Sequence, residues 1–284
     1  MLATNLDPFR KDHRPFSVNP MNLTLAQQLG SALVGGGRAL TGAALDFIYP
    51  PRCLLCDDDT LPGSNSTGGH VPFCDDCHAE LCPMATNACR RCGAPLGPYT
   101  RSGEGCTLCI RERFAFDQVI RLGLYRDELR AACLMAKSPT GALMGRALAS
   151  ELVTAQREAL TAQTFDAVIP VPEHWLKRLA RPQYAAETLA RELSHRLKVH
   201  LATGILAKRR WTPKQARSSP AERRIQQHGA FGTAKRTDLH GQTLLVVDDV
   251  LTTGATAHEV ARMLKRAGAK RVVVAVIAVS PPSM

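Results

Sequence analysis

Two clusters in this sequence combine residue types and spacing that could do chemistry. The first is LLVVDDVLTTGAT, from Leu244 to Thr256. It places adjacent carboxylates, Asp248 and Asp249, directly after an apolar run, and follows them with Thr252, Thr253, Gly254, Ala255 and Thr256. Paired acids at the carboxyl end of a strand supply oxygen acceptors for sugar hydroxyls or a divalent cation. A Thr- and Gly-rich turn opening a helix presents hydroxyls and unpaired N–H groups to an anion, with the positive end of the helix dipole behind them. The second cluster is a series of four C-x-x-C pairs, Cys53/Cys56, Cys74/Cys77, Cys89/Cys92 and Cys106/Cys109. Each pair sets two thiolates on one tight knuckle, and two knuckles close a tetrahedral zinc site, so the four pairs predict two structural zinc ions. Pairing in sequence order closes each ribbon locally and is the expected arrangement, with a crossed pairing left open.

Elements able to position these groups can be read from the patterning. Leu244 to Val247 is a short apolar, β-branched run suited to a buried parallel strand. Thr256 and Glu259 have capping-box spacing for a following helix, and Gly268 stands where that helix would stop. Gln118 to Tyr125, Asp166 to Val171 and Arg271 to Val279 read as further strands. Glu128 to Lys137, Leu143 to Leu160 and Gln183 to Leu197 read as helices. Strands alternating with helices of this length predict an α/β domain with a mostly parallel sheet. Ligands of such sheets gather at the carboxyl ends of the strands. The turn Ile169-Pro170-Val171-Pro172 would therefore share a crevice with the aspartates, and Lys177, Arg178 and Arg181 follow close behind it.

Composition sets the outer limits. The 284 residues carry a formal net charge of +11 and are 45% hydrophobic, a globular balance biased toward anionic partners. No apolar run is long enough to span a bilayer, and the first residues lack the pattern of a secretory signal, so a soluble cytoplasmic chain is expected. In that reducing setting the cysteines should bind metal rather than form disulfides. Cys82 and Cys133 stand outside the four pairs and read as small buried hydrophobes. His70 and His78 are not needed as ligands. Residues 1–48 divide into a polar, disordered start and a helical segment from Leu23 to Ile48. The cysteine ribbons occupy 49–112 and the α/β domain 113–284. The stretch from Lys208 to Arg224 is rich in Lys and Arg, contains one acid, and includes Trp211. Such a segment is expected to be a solvated loop, able to close over a phosphorylated ligand or to track a nucleic-acid backbone.

VVDDVLTTGAT resembles the phosphoribosyl pyrophosphate (PRPP) loop of type I phosphoribosyltransferases. Together with the IYPPRCLLC opening, the four knuckles, IPVP and the series from Arg210 to Phe231, it resembles the ComF family, phosphoribosyltransferase-like proteins linked to natural competence and uptake of transforming DNA. The resemblance implies a type I phosphoribosyltransferase-like fold preceded by a double zinc ribbon and an N-terminal helical segment. It implies PRPP with Mg2+ as ligand, bound by Asp248, Asp249, Thr252 to Thr256, Val171 and Arg178. It departs from the family pattern at Pro182, Gln183 and Tyr184. Two functional classes follow from it. One is a PRPP-binding protein acting with single-stranded DNA and other DNA-uptake or recombination proteins. The other is an active phosphoribosyltransferase that displaces pyrophosphate in favour of an unidentified acceptor. Because little chain follows the last strand, a hood over a base would have to come from the zinc ribbons or from Phe114 to Tyr125.

Overall fold

In the computed structural model, the described residues are 52–58, 72–82, 88–97, 105–107, 109, 112–173, 185–210, 220–234 and 237–280. The expectations for residues 1–48, for His70, for Lys177, Arg178, Arg181 and the Pro182 to Tyr184 departure, and for Trp211 lie outside them. A short helix α1 (Asp75–Leu81) precedes β1 (Gln118–Leu124), α2 (Asp127–Ala136), α3 (Ala142–Ala155), α4 (Arg157–Thr161) and β2 (Ala167–Pro170). Next come α5 (Ala185–Leu197), β3 (Leu206–Lys208), α6 (Pro220–Gln227), β4 (Phe231–Thr233), β5 (Thr243–Leu251), α7 (Ala255–Arg266) and β6 (Arg271–Val279).

Four strands form one parallel sheet in the order β1-β6-β5-β2, and β3 and β4 form a separate antiparallel pair. The apolar runs explain the centre of the sheet. Val272 to Val279 of β6 and Leu244 to Val247 of β5 are all buried, as strands covered on both faces must be. Side chains alternate between the faces. Leu244, Val246, Val272 and Val274 pack with Val260, Ala261 and Leu264 of α7. Leu245, Val247, Val273 and Ala275 pack with Leu148 and Leu152 of α3 and Leu189 and Leu193 of α5. Ala186, Leu189, Ala190 and Leu193, and likewise Ala257, Val260, Ala261 and Leu264, repeat the i, i+3, i+4, i+7 stripe that commits a helix to one face.

The cysteine-bearing segments join both faces at the β1 end of the sheet. Cys89, Cys92, Cys106 and Cys109 belong to the core under α7, whereas Cys53, Phe73 and Leu81 belong to the core under α3 and α5. A knuckle also covers the outer edge of β1, where the Val119 amide donates to the Arg90 carbonyl at 2.9 Å. Covering a strand edge in this way removes a site of unwanted pairing. Gly93 makes the approach possible. Its φ is +72°, and a Cβ there would stand 2.9 Å from Val119 Cγ1.

Local structure differs from the sequence patterning at two places. The helix expected from Leu143 to Leu160 is divided at Gln156, whose backbone (φ −113°, ψ 24°) leaves the helical region, giving α3 and α4. The strand expected over Leu244 to Val247 continues through both aspartates to Leu251, because Asp248 and Val250 keep their register with Val276 and Ala278 of β6.

Candidate functional site

The carboxyl end of β5 holds the acidic pair in a fixed pose. The Asp249 amide donates to Asp248 Oδ1 at 2.9 Å, and the Val250 amide donates to Asp249 Oδ1 at 2.7 Å. Asp248 keeps partial solvent exposure, yet protein atoms enclose its carboxyl closely. That burial, followed by the neighbouring charge of Asp249, raises its pKa well above the ordinary carboxylate value. The second carboxylate is held by a cation. Lys137 Nζ lies 2.8 Å from Asp249 Oδ2, with the two side chains 29% and 17% exposed. Burial would lower the Lys137 pKa, but the charge and hydrogen bond of Asp249 outweigh it, so the ammonium is favoured. Sequence patterning treated Lys137 only as the end of a helix. Nothing in the sequence joins it to Asp249, since the contact requires the end of α2 to lie at the carboxyl end of β5.

After the acids the chain turns at Gly254, whose φ is +74°, and enters α7 at Ala255. A Cβ on Gly254 would fall 2.8 Å from the Phe114 ring, so glycine serves both the turn and the packing. The expected capping box does not form. Thr256 lies inside the first turn, and Gly254 occupies the N-cap position without a side-chain cap. Glu259 instead pairs with Arg262 at 2.6 Å and accepts the Gly229 amide at 2.8 Å. Burial pushes the Glu259 pKa up, but these two partners prevail and hold it below the ordinary value. Thr252 and Thr253 remain at the surface or half-buried, and Thr253 Oγ1 accepts the Ala255 amide at 3.4 Å. Val171 is brought alongside, its amide donating to the Val247 carbonyl at 2.9 Å while its side chain is buried. The structure thus assembles Asp248, Asp249, Thr252 to Thr256 and Val171 around one strand end. Arg178 lies outside the described residues.

The segment entering β1 supports this turn from below. Phe114 and Phe116 stack with ring centroids 4.7 Å apart, and the Ala115 amide donates to His258 Nδ1 of α7 at 3.1 Å. Both rings are buried, so neither offers a free face to a base. This removes the two phenylalanines from the parts expected to supply a hood.

The described ends of the basic segment belong to secondary structure. Lys208 ends β3, its Nζ 5.3 Å from the Phe231 ring centroid, and residues 220–227 form α6. The Arg209 guanidinium donates to the Thr233 carbonyl at 3.2 Å. That of Arg210 donates to the carbonyls of Gln226 and His228 at 2.8 and 2.9 Å. These cations hold the β3–β4 arm together, and Glu259 ties the arm to α7 through Gly229. Residues 211–219 lie outside the described part.

All ten cysteines are unbridged. Cys53, Cys56, Cys74 and Cys77 converge in one group and Cys89, Cys92, Cys106 and Cys109 in another, so the pairs combine in sequence order. Zinc–sulfur bonds of about 2.3 Å in a tetrahedron separate the sulfurs by about 3.8 Å. The Cys56–Cys74, Cys92–Cys106 and Cys89–Cys109 separations are 3.6, 3.5 and 3.7 Å. The knuckles match each other too. Asp57 (φ +65°) and Gly93 (φ +72°) follow the second cysteine of their pairs in the left-handed conformation. Cys53 is lowered to about 6: burial opposes this, but backbone N–H groups of Cys56, Cys74 and Leu55 dominate. Burial pushes Cys109 up to about 11. Four such thiols cannot all ionise without a cation, which is what a zinc ion supplies. Arg121, 4% exposed on β1, lies close enough for the Cys92 charge to act on it. It is a fitting counter-ion for a site with four thiolates and one Zn2+.

Cys133 is buried in the core, and burial together with the Asp249 charge raises it to about 12. Cys82 differs from the apolar role expected of it. It is half-buried beside Glu151, and burial and that carboxylate push its thiol up to about 12. A cavity of about 370 Å³ opens near the first cysteine group, lined by Cys56, Asp76, Glu80, Asp127 and Glu128 among others. It sits at the opposite end of α2 from Lys137, about 15 Å along a helix of that length. Its four carboxylates make it unsuitable for a diphosphate.

The class of protein agrees with comparisons to known families. Residues 180–283 match the Phosphoribosyl transferase domain and residues 44–110 match the Double zinc ribbon domain. The chain is a phosphoribosyltransferase-like α/β protein with an N-terminal double zinc ribbon, and its two four-cysteine clusters are structural zinc sites. Among characterised relatives, it is 25% identical to Competence protein F of Haemophilus influenzae over 78% of this chain and 93% of that one. It is 27% identical to DNA utilization protein YhgH of Escherichia coli O157:H7 over 78% and 94%. Both domain matches and these relatives together support a ComF-family protein. Among solved structures, the glutamine PRPP amidotransferase of B. subtilis is 24% identical, with a TM-score of 0.30 over 48% of this chain and 25% of that one. The purine phosphoribosyltransferase of Pyrococcus horikoshii is 22% identical, with a TM-score of 0.29 over 46% and 69%. Neither likeness is strong enough to bear on function. No helix among the described residues is long and apolar enough to cross a membrane.

Proposed function

We propose that this chain is a cytoplasmic PRPP-binding protein that works with single-stranded DNA during DNA uptake. The observation that carries the reading is the rigid acidic pair of β5, clamped by Lys137 and backbone amides, directly before the glycine turn and N-terminus of α7. Asp248 and Asp249 accept hydrogen bonds from the ribose hydroxyls. The hydroxyls and amides of Thr252 to Thr256 receive the 5′-phosphate, favoured by the helix dipole. Val171 and the IPVP turn border the diphosphate, whose charge Arg178 offsets. Mg2+ bound with PRPP neutralises part of that same charge. The β3–β4 arm and the basic stretch between Arg210 and Pro220 supply the DNA contacts, and relatives named for competence and DNA utilization support that partner. Other DNA-uptake or recombination proteins belong to the same reading as partners.

Binding is favoured over turnover because the aromatic pair nearest the turn, Phe114 and Phe116, is interior. The second reading, an active phosphoribosyltransferase with an unidentified acceptor, keeps the same PRPP contacts and requires a base-binding surface from elsewhere. Titration of PRPP and Mg2+ with and without single-stranded DNA, following both binding and pyrophosphate release, separates the two. Saturable binding without release, abolished by Asp248→Asn with Asp249→Asn, is the expected result. Pyrophosphate release dependent on an added base or amine establishes the enzyme instead, and absence of PRPP binding overturns both.

A further inference from the structure

Outside the two four-cysteine sites and the β5 site, three potential ligands of different chemistry converge. His78 lies on α1, one residue after the zinc ligand Cys77. Cys82 caps the C-terminus of that helix, and Glu151 projects from α3. His78 Nε2 is 3.1 Å and Cys82 Sγ 3.6 Å from Glu151 Oε2, and all three ligand atoms lie within 4.8 Å of one another. Bond lengths of about 2.0–2.1 Å to nitrogen, 2.0–2.2 Å to oxygen and 2.3 Å to sulfur put nitrogen about 3.4 Å and sulfur about 3.6 Å from the oxygen around a tetrahedral Zn2+. The sulfur–oxygen spacing matches that geometry, and the nitrogen–oxygen spacing of 3.1 Å falls about 0.3 Å short of it, so seating the ion takes only a small shift of the imidazole.

Placement also distinguishes the group from a chance surface cluster. Glu151 is only 9% exposed, on a helix whose neighbours Leu148 and Leu152 are core residues, so a carboxylate there needs a partner. His78 and Cys82 are one helical turn apart, linked by the Cys82 amide donating to the His78 carbonyl at 2.9 Å, and both face the same carboxylate.

We propose that His78, Cys82 and Glu151 form a third zinc site, with one position left for water, that fastens the ribbon helix α1 to α3 of the α/β domain. Nitrogen, thiolate and carboxylate ligands together suit Zn2+ or a similar borderline-soft divalent ion. Three protein ligands with a half-exposed histidine make the site exchangeable, whereas the four-cysteine sites are closed. Its role is independent of PRPP.

Metal content of the full chain tests this. After reconstitution with excess Zn2+ under reducing conditions and removal of free ion, the protein should hold three equivalents, and Cys82→Ser and Glu151→Gln should each hold two. In a Co2+ titration of the unsubstituted protein, the third equivalent should have an absorption spectrum distinct from the first two, reflecting one thiolate instead of four. That difference should vanish in Cys82→Ser. A full-length protein saturating at two equivalents overturns the proposal. So does a third equivalent retained with unchanged spectrum in Cys82→Ser, and so does a Co2+ titration whose third equivalent cannot be told from the others.

Discussion

Replacing Lys137 by Met should expose how the acidic pair is maintained. The substitution keeps an unbranched apolar side chain out to the ε position and removes the cation 2.8 Å from Asp249. Exposed ion pairs contribute about 0–1 kcal/mol, and breaking a fully buried pair costs about 3–5 kcal/mol. With the Lys and Asp side chains 29% and 17% exposed, this pair is intermediate, and a loss of about 2 kcal/mol near neutral pH is expected. For a domain of this size that corresponds to a fall in Tm of roughly 4–8 °C. The pH dependence carries more information. Asp248 has a folded-state pKa above its unfolded value, so folding takes up a proton and the associated stability is present at low pH. It is lost as pH rises through the folded pKa. Lys137 is one of the influences that pull that pKa down, so its removal extends the loss to higher pH. Paired thermal scans of zinc-loaded wild type and Lys137→Met, between about pH 5 and about pH 8, should show a gap that widens with pH. A gap that is absent, or constant across the range, refutes the argument.

Three further outcomes follow from the geometry. Gly254→Ala forces a left-handed alanine against the Phe114 ring and should cost about 1–2 kcal/mol in backbone strain alone, with PRPP affinity falling by more than the stability change accounts for, as calorimetry and thermal unfolding together would read. Cys92→Ser, in the fully buried cluster, should destabilise the chain by about 4 kcal/mol or more and should do more damage than Cys56→Ser, in the more exposed one, as denaturant midpoints and zinc content would report. Glu259→Gln weakens the tie between the β3–β4 arm and α7. Because the folded-state pKa of Glu259 is depressed, the stability it contributes is present above the unfolded pKa and lost as pH falls through the folded one. Faster amide exchange at Gly229 in the variant at neutral pH, converging with wild type in acid, is the expected signature.

The sequence by itself determined the parts whose physics is local. A C-x-x-C pair makes a knuckle within its own few residues, and pairing in order closes each ribbon with little chain between. The zinc sites and their partnership were therefore legible. The apolar run at Leu244, the two acids and the glycine turn likewise specify a strand, a polar end and a helix start in contiguous chain, although the strand runs on through both acids to Leu251 and the helix opens at Ala255 without the Thr256 cap.

Only the tertiary structure decided which distant groups act on that turn. Lys137 reaches Asp249, Phe114 fills the space under Gly254, and Glu259 takes the Gly229 amide instead of capping its own helix. Arg209 and Arg210, which by charge belong to a binding surface, are tied to backbone carbonyls of the arm. Cys82, read as a small hydrophobe, meets a histidine and a carboxylate from another helix. Each of these contacts joins segments remote in the chain. Its energy depends on burial and on distances that exist only after the sheet and its covering helices have packed, and no periodicity or spacing in the sequence encodes them.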